Sequence, residues 1–423
     1  EEVYTTSLTS LAVTSALFVA AVLAFIDPLS GAMECGGHPE YIGIMAVTVA
    51  IDAFTALPFA YLRFRKRPIR FAALRLINIG LNIGLNILFI LICPWLMKQA
   101  PQIVDGWYDP GFGIGYIFLA NLISSGVMML LLIPEIFRRP WRFNWPLLRS
   151  MLSYSFPLLI LGIAGIMNQT IDKILYPVLV QDPQEAMHGL GIYGANYKIA
   201  IVMVMFLQAF RFAYEPFIFA KDKEKGDNRL QSYADAMKYF VIFALIIFLG
   251  VMYYLDVIRH FISSDYFAGL KVVPVIMLAE LFFGIFFNLS IWYKLTDKTI
   301  WGAWFSLGGL AVTVGLNILL VPQFGYMGCA WAALACYTSM MIASYFIGRS
   351  RLAVPYQTGR IIGYFGIAAV LYAAGIAVDT GSSWADMLLR TPLLLLFIYT
   401  VLRLEHIDPR SFAKIIGRRR RPA

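Results

Sequence analysis

The residues of this chain most able to do chemistry are ionisable groups set deep inside apolar stretches. Asp172 and Lys173 lie eight and seven residues from the end of one such stretch, and Lys198 lies seven residues into the next. An ion at the centre of a bilayer costs about 3 kcal/mol or more, so such groups face a protein interior or a wet cavity. Asp172 and Lys173 are adjacent in sequence, hence about 100° apart on a helix, and do not easily neutralise each other. Two readings stay open. Either Asp172 pairs with Lys198 and locks two helices together, or Lys173 or Lys198 is left to bind an anion. Asn168 and Gln169 carry the polar patch one turn deeper.

Further along, Arg211 and Glu215 have the i,i+4 spacing of a helix salt bridge. With Gln208, Arg211 also forms a polar stripe, and its planar fork suits the paired oxygens of an anion. It lies about 15 Å along the helix from Lys221, too deep to reach the headgroups. Pro216 removes one helical hydrogen bond nearby. Asp52 and Glu280 sit well inside their own apolar runs. A carboxylate at that depth carries a coupling proton or sodium ion, or simply accepts a hydrogen bond from a neighbouring Thr or Asn. The candidate substrate-binding set is therefore Lys173, Lys198, Arg211, Asn168, Gln169 and Gln208. The candidate coupling or structural carboxylates are Asp52, Asp172, Glu215 and Glu280.

Other polar residues have plainer readings. Arg75 and Arg390, near span ends, are expected to snorkel to the interface. Asn82, Asn86 and Asn317 lie among Gly80, Gly84 and Gly315, a pattern of close helix packing. No Cys or His spacing implies a metal, and no cofactor is expected. Cys329 and Cys336 are seven residues apart on one helix, about 10 Å of rise and too far to bridge. Cys35 and Cys93 both fall near the outer face and could pair, though free thiols are the simpler reading.

These groups must be positioned by membrane helices. The chain is 60% hydrophobic and 14% charged, with a mean hydropathy of +0.72. So much apolar surface in a chain of 423 residues needs lipid as its solvent. Spanning a bilayer takes about 20 apolar residues, and twelve stretches qualify: about 6–26, 41–62, 71–96, 111–133, 151–180, 191–219, 236–258, 270–293, 300–321, 326–348, 360–378 and 384–404. They are too long and too evenly apolar for strands. Lys and Arg number 26 in one alternate set of loops and 3 in the other, which predicts the first set, and both ends of the chain, to be cytoplasmic. This bias accounts for the net charge of +9 without nucleic acid; the Arg418–Arg421 run reads as an anchor on anionic lipid.

The span at 71–96 carries IGLNIL (83–88), and the span at 300–321 carries VGLNIL (314–319), 231 positions later. The match extends backwards without a gap: Arg63, Arg67, Ile69, Ala72 and Leu76 fall on Lys294, Lys298, Ile300, Ala303 and Leu307. Gly113–Gly115 and Gly325–Gly328 precede the next span of each copy. The expectation is an all-α polytopic membrane protein with two parallel six-helix lobes and two extra C-terminal helices. The N-terminal lobe (1–137) is represented by its last four helices, the C-terminal lobe (150–350) is whole, and 351–423 holds the extra pair and a basic tail. Two further helices are expected before Glu1, fourteen in the parent. Paired halves point to alternating access around a central site.

The stretches SYSFPLLILGIAGIMNQTIDKILY (153–176), GIYGANYKIA (191–200) and FRFAYEPFIF (210–219), with this helix plan, resemble the multidrug/oligosaccharidyl-lipid/polysaccharide exporter superfamily. Within it the chain is similar to the bacterial polysaccharide-biosynthesis proteins, the O-antigen-type flippases. The resemblance implies transport of a lipid-linked oligosaccharide across the bacterial inner membrane and no enzyme activity. Lysines and arginines would face a water-filled chamber and bind the diphosphate, with membrane lipids and a coupling proton or sodium ion as the other partners. One rival is a drug or cation exporter of the same superfamily, using carboxylates such as Asp52 and Glu280. A second is a membrane glycosyltransferase or polymerase, for which Asp27 and Glu34 on an otherwise short outer loop are the only support.

Overall fold

The computed structural model describes residues 2–32, 38–65, 67–104, 106–137, 142–222, 228–296, 298, 300–378 and 380–406. Glu34, Cys35 and the Arg418–Arg421 run fall outside them. Among the described residues there are helices and no strand. Among the described residues ten helical segments are long and apolar enough to cross a membrane, and Gly115–Leu131 is a shorter apolar helix. The chain is a multi-pass membrane protein. The expectation of twelve spans goes beyond that number; its fourth and fifth stretches fall on Gly115–Leu131 and on the 35-residue helix Trp145–Leu179.

The main helices are α1 (Glu2–Ala24), α2 (Glu40–Phe64), α3 (Pro68–Ile87), α4 (Gly115–Leu131), α5 (Trp145–Leu179), α6 (Pro183–Asp222), α7 (Asn228–Tyr253), α8 (Val273–Leu289), α9 (Ile300–Phe324), α10 (Tyr326–Arg349), α11 (Thr358–Ala377) and α12 (Ser383–Leu404). They divide into two compact units, Glu1–Pro157 and Leu158–Ala423.

In the first unit Tyr4, Leu8, Phe59, Leu62, Leu74, Met128, Leu132 and Ile136 pack into one cluster. Arg70 pairs at 2.9 Å with the buried carboxylate of Glu135 beside it. α3 does not end at Ile87 but widens into a π-helical turn, Leu88–Ile92, before continuing as Cys93–Gln99. Pro94 lies in the first turn of that continuation. A proline ring clashes with the carbonyl four residues back, and the wider π turn makes room for it. Cys93 is a buried free thiol.

The second unit is built on α7 and α8, whose Met237, Phe240, Val241, Leu245, Ile276, Met277 and Leu281 are buried in its largest core. α8 packs on α6 and α10, and α10 on α9. α11 and α12 close on α7 and are held at both ends. At one end Glu405 accepts from Lys238 Nζ and Tyr364 Oη, each at 2.5 Å. At the other, Arg390 pairs with Asp256 at 3.1 Å and donates to the carbonyls of Gly375 (3.0 Å) and Val378 (2.8 Å). The snorkelling expected of Arg390 is therefore corrected. It caps carbonyls at the α11 C-terminus, where a cation is favoured.

The sequence repeat has a backbone counterpart. Arg67 N–H donates to Leu62 O at 3.1 Å, and Lys298 N–H, 231 positions on, donates to Tyr293 O at 2.9 Å. Arg65 to Tyr61 (2.9 Å) and Thr296 to Trp292 (3.2 Å) are matched in the same way. Asn86 and Asn317 each donate to the carbonyl four residues back at 2.8 Å. Gly113 (φ 50°, ψ −121°) and Gly325 (φ 55°, ψ −137°) introduce α4 and α10 in one conformation that L-residues rarely adopt.

Candidate functional site

The second unit holds a polar network inside its apolar core. Asn168, Asp172 and Tyr176 recur every four residues along α5 and share its buried face. Asn168 Oδ1 accepts from Thr313 Oγ1 of α9 at 2.8 Å. Gly309 permits this approach, because a Cβ there would lie 2.8 Å from Asn168 Nδ2 and 2.5 Å from Met340 Sδ. Asp172, 5% exposed, has both oxygens engaged. Oδ2 accepts from Tyr193 Oη of α6 at 2.6 Å, and Oδ1 from the backbone N–H of Lys173 at 2.8 Å.

Lys173 is turned away from Asp172 by the helix. Its ammonium lies over the ring of Tyr197, 3.8 Å from the centroid. The same tyrosine donates its hydroxyl to Glu280 Oε1 of α8 at 3.0 Å, and Glu280 is 4% exposed. Two carboxylates, one ammonium and two tyrosines thus connect α5, α6 and α8. The Asp172–Lys198 pairing left open by the sequence does not form. Tyr193 and Tyr197 face inward one turn apart, and Lys198 follows Tyr197 by a residue and points outward, exposed. Gln208 is exposed too, and Gln169 is half-buried.

A second charged group lies further along α6. The expected Arg211–Glu215 bridge is replaced by Glu215 Oε1 accepting from Lys294 Nζ at 3.1 Å. Arg211 stacks instead on Phe287, 4.4 Å from its centroid, and Lys294 lies 4.2 Å from the same ring. Both are cation–π contacts. Among the described residues Arg211 has no carboxylate partner, because the one acid here, Glu215, pairs with Lys294.

In the first unit Asp52 is exposed and accepts from Ser125 Oγ at 2.6 Å. This is the hydrogen-bonded reading, with a serine as donor. Asn82 donates to Asn121 at 2.7 Å, and Asn86 to Asn82 Oδ1 at 3.1 Å, which joins α3 to α4. Arg75 lies over Phe59 at 4.3 Å. In the second copy of the repeat Phe283 stands where Asp52 does, and its ring packs on Tyr337 at 4.7 Å.

Sequence reasoning missed Tyr193, Tyr197, Thr313, Ser125 and Lys294. The i,i+4 spacing of the two tyrosines, opposite an ionic pair on the preceding helix, was the available signal for them. Lys294 was visible only as a loop cation. Among the described residues no cluster of His, Cys, Asp or Glu could hold a metal ion.

No protein-family model and no curated protein matches the sequence. Solved structures do. The chain is similar to the lipid II flippase MurJ in an inward closed conformation, with 15% identity and a TM-score of 0.66 over 95% of this chain and 83% of that one. It is similar also to a multidrug resistance MATE family transporter of the MOP superfamily. The inward-facing conformation gives 14% identity and a TM-score of 0.64 over 83% of this chain and 81% of that one. The outward-facing one gives 15% and 0.61, over 84% and 79%. The shared fold is that of these transporters.

Proposed function

We propose that this chain is a flippase of the bacterial inner membrane, moving a polyprenyl-diphosphate-linked oligosaccharide from the cytoplasmic to the periplasmic leaflet for cell-surface polysaccharide synthesis. The observation that carries the reading is the extent of the fold likeness. The match to the lipid II flippase covers 95% of the chain, against 83% and 84% for the multidrug transporter.

The side chains support an anionic cargo. Among the described residues Arg211 lacks a carboxylate partner, Lys294 lies beside it, and Lys198 and Gln208 are both exposed on α6. Arg211 offers a diphosphate a bidentate fork, with Gln208 one turn away, while Lys198, about 20 Å back along the helix, would meet another part of the head group. Asn168 and Gln169 keep a lesser place in this set, since Asn168 is occupied by Thr313. Lys173, Asp172 and Glu280 are assigned to coupling, with a proton or sodium ion as the driving species, while Asp52 and Glu215 are structural. The reaction moves a head group and makes or breaks no bond.

The test is surface polysaccharide export in cells that depend on the full-length protein. Lys198→Ala and Arg211→Ala are expected to abolish it jointly and weaken it singly, with normal amounts of protein in the membrane. Normal export in the double variant overturns the cationic site.

The likeness to a multidrug transporter keeps a second reading in place: a cation exporter using exposed Asp52. It predicts that Asp52→Asn raises accumulation of cationic dyes, whereas the flippase reading predicts no change.

A further inference from the structure

The charges of the buried network do not cancel. Asp172 and Glu280 are 5% and 4% exposed, and the ammonium of Lys173 is their only nearby cation among the described residues. With all three ionised the site carries one negative charge too many for a buried place. The two acids differ in what they can accept. Both oxygens of Asp172 are taken, by the Lys173 backbone N–H and the Tyr193 hydroxyl. Glu280 Oε1 is taken by Tyr197, while Oε2 accepts no hydrogen bond from any described residue. The Lys173 ammonium likewise donates to no described residue; it rests on the Tyr197 ring. An uncommitted acceptor and an uncommitted cation thus flank one aromatic side chain.

We propose that Lys173 is the site's own counter-ion: its tethered ammonium stands where a free metal cation would otherwise balance the acids, so the species exchanged at Glu280 is a single proton. A hard metal ion needs several converging oxygens, and here three of the four carboxylate oxygens are engaged and a fixed positive charge is already present. A proton needs one lone pair. Glu280 Oε2 takes it from water, the carboxylate becomes a neutral acid, and the site passes from one net negative charge to none. Release returns the proton to water.

The surroundings fit one exchanging group. α6 presents Tyr193 and Tyr197, α5 presents Asp172 and Lys173, and α10 presents Cys329, Cys336 and Tyr337. α7 keeps its titratable residues near its two ends, between Arg229 and Tyr239 and at Tyr253. The segment leading into α8 has Asp265, Tyr266 and Lys271, at least nine residues from Glu280. None of these is a histidine.

The inference deepens the transport reading and rests on it only for its purpose, because the charge balance is independent of the cargo. It is tested without cargo, on the purified full chain, with sodium ions and protons as the probes. Melting is compared in sodium chloride and choline chloride at equal ionic strength, and proton release on raising the pH is followed with an indicator dye. The wild type is expected to melt alike in both salts. Glu280→Gln is expected to release about one proton fewer per chain than the wild type. Lys173→Met, its ammonium gone, is expected to become selectively stabilised by sodium, and Lys173→Arg to behave as wild type.

Sodium-selective stabilisation of the wild type overturns the proposal, as does unchanged proton release in Glu280→Gln. A folded Lys173→Met that gains no response to sodium overturns it as well. If Lys173→Met does not fold, the wild type, Lys173→Arg and Glu280→Gln still decide. Export that survives loss of Lys198 and Arg211 would remove the anionic cargo and leave this ion site standing. Failure here would leave the cargo reading intact.

Discussion

A buried carboxylate is held by its donors, and Asp172 has a strong one in the Tyr193 hydroxyl at 2.6 Å. Tyr193→Phe deletes only that oxygen, so the ring keeps its packing while a buried acceptor goes unsatisfied. The predicted loss is about 1–3 kcal/mol of stability, read as a lower midpoint of denaturant unfolding in the purified protein. A variant as stable as the wild type would mean that water replaces the hydroxyl. At this scale the sequence showed which residues lie deep, because depth follows from counting along an apolar run. Partners were less legible. The i,i+4 rule joined Arg211 to Glu215, but the acid reaches Lys294, 79 residues away. The rule sees one helix surface, whereas in the folded unit Phe287 of α8 draws both cations to its ring face.

Among the elements, the two left-handed glycines make the sharpest prediction. Gly113 and Gly325 have nothing closer than 3.8 Å to an added Cβ. A substitution there therefore meets strain rather than a clash. Alanine at either position is expected to cost about 1–3 kcal/mol, and by similar amounts if the two copies of the repeat are equivalent. Unfolding midpoints of the two single variants check this; a large cost at one site and none at the other would break the equivalence. The helices themselves were legible from hydropathy, and the basic turns from the ungapped repeat. The π-helical turn at Leu88–Ile92 was not. It answers to Pro94 within a run whose apolar pattern is uninterrupted, and hydropathy carries no information about hydrogen-bond register.

For the molecule as a whole, the pair α11 and α12 is where acid should act first. Burial alone would raise the Glu405 carboxyl. Hydrogen bonds from Lys238 and Tyr364 and the charges of Lys238 and Arg360 outweigh it and hold the group below its ordinary 4.5. A lowered value means the contribution is complete above that ordinary value and is lost as pH falls through the lower, folded one. Amides at the end of α12 are therefore expected to exchange faster only under strongly acidic conditions, and Glu405→Gln to exchange fast at neutral pH as well. Lys238→Met leaves the carboxylate without its nearest cation, with Arg360 and Tyr364 still beside it, and is expected to cost about 1–3 kcal/mol. Equal exchange in Glu405→Gln and wild type at neutral pH would show that the ion pair does not secure this end.

Pinning α12 at one tip through Glu405 and near the other through Arg390 leaves it no freedom to swing on a hinge of its own. Two spectroscopic labels, one on an exposed site of α7 and one on α12, should keep a constant separation while cargo is carried. That separation is a built-in ruler against which displacement elsewhere in the chain can be measured.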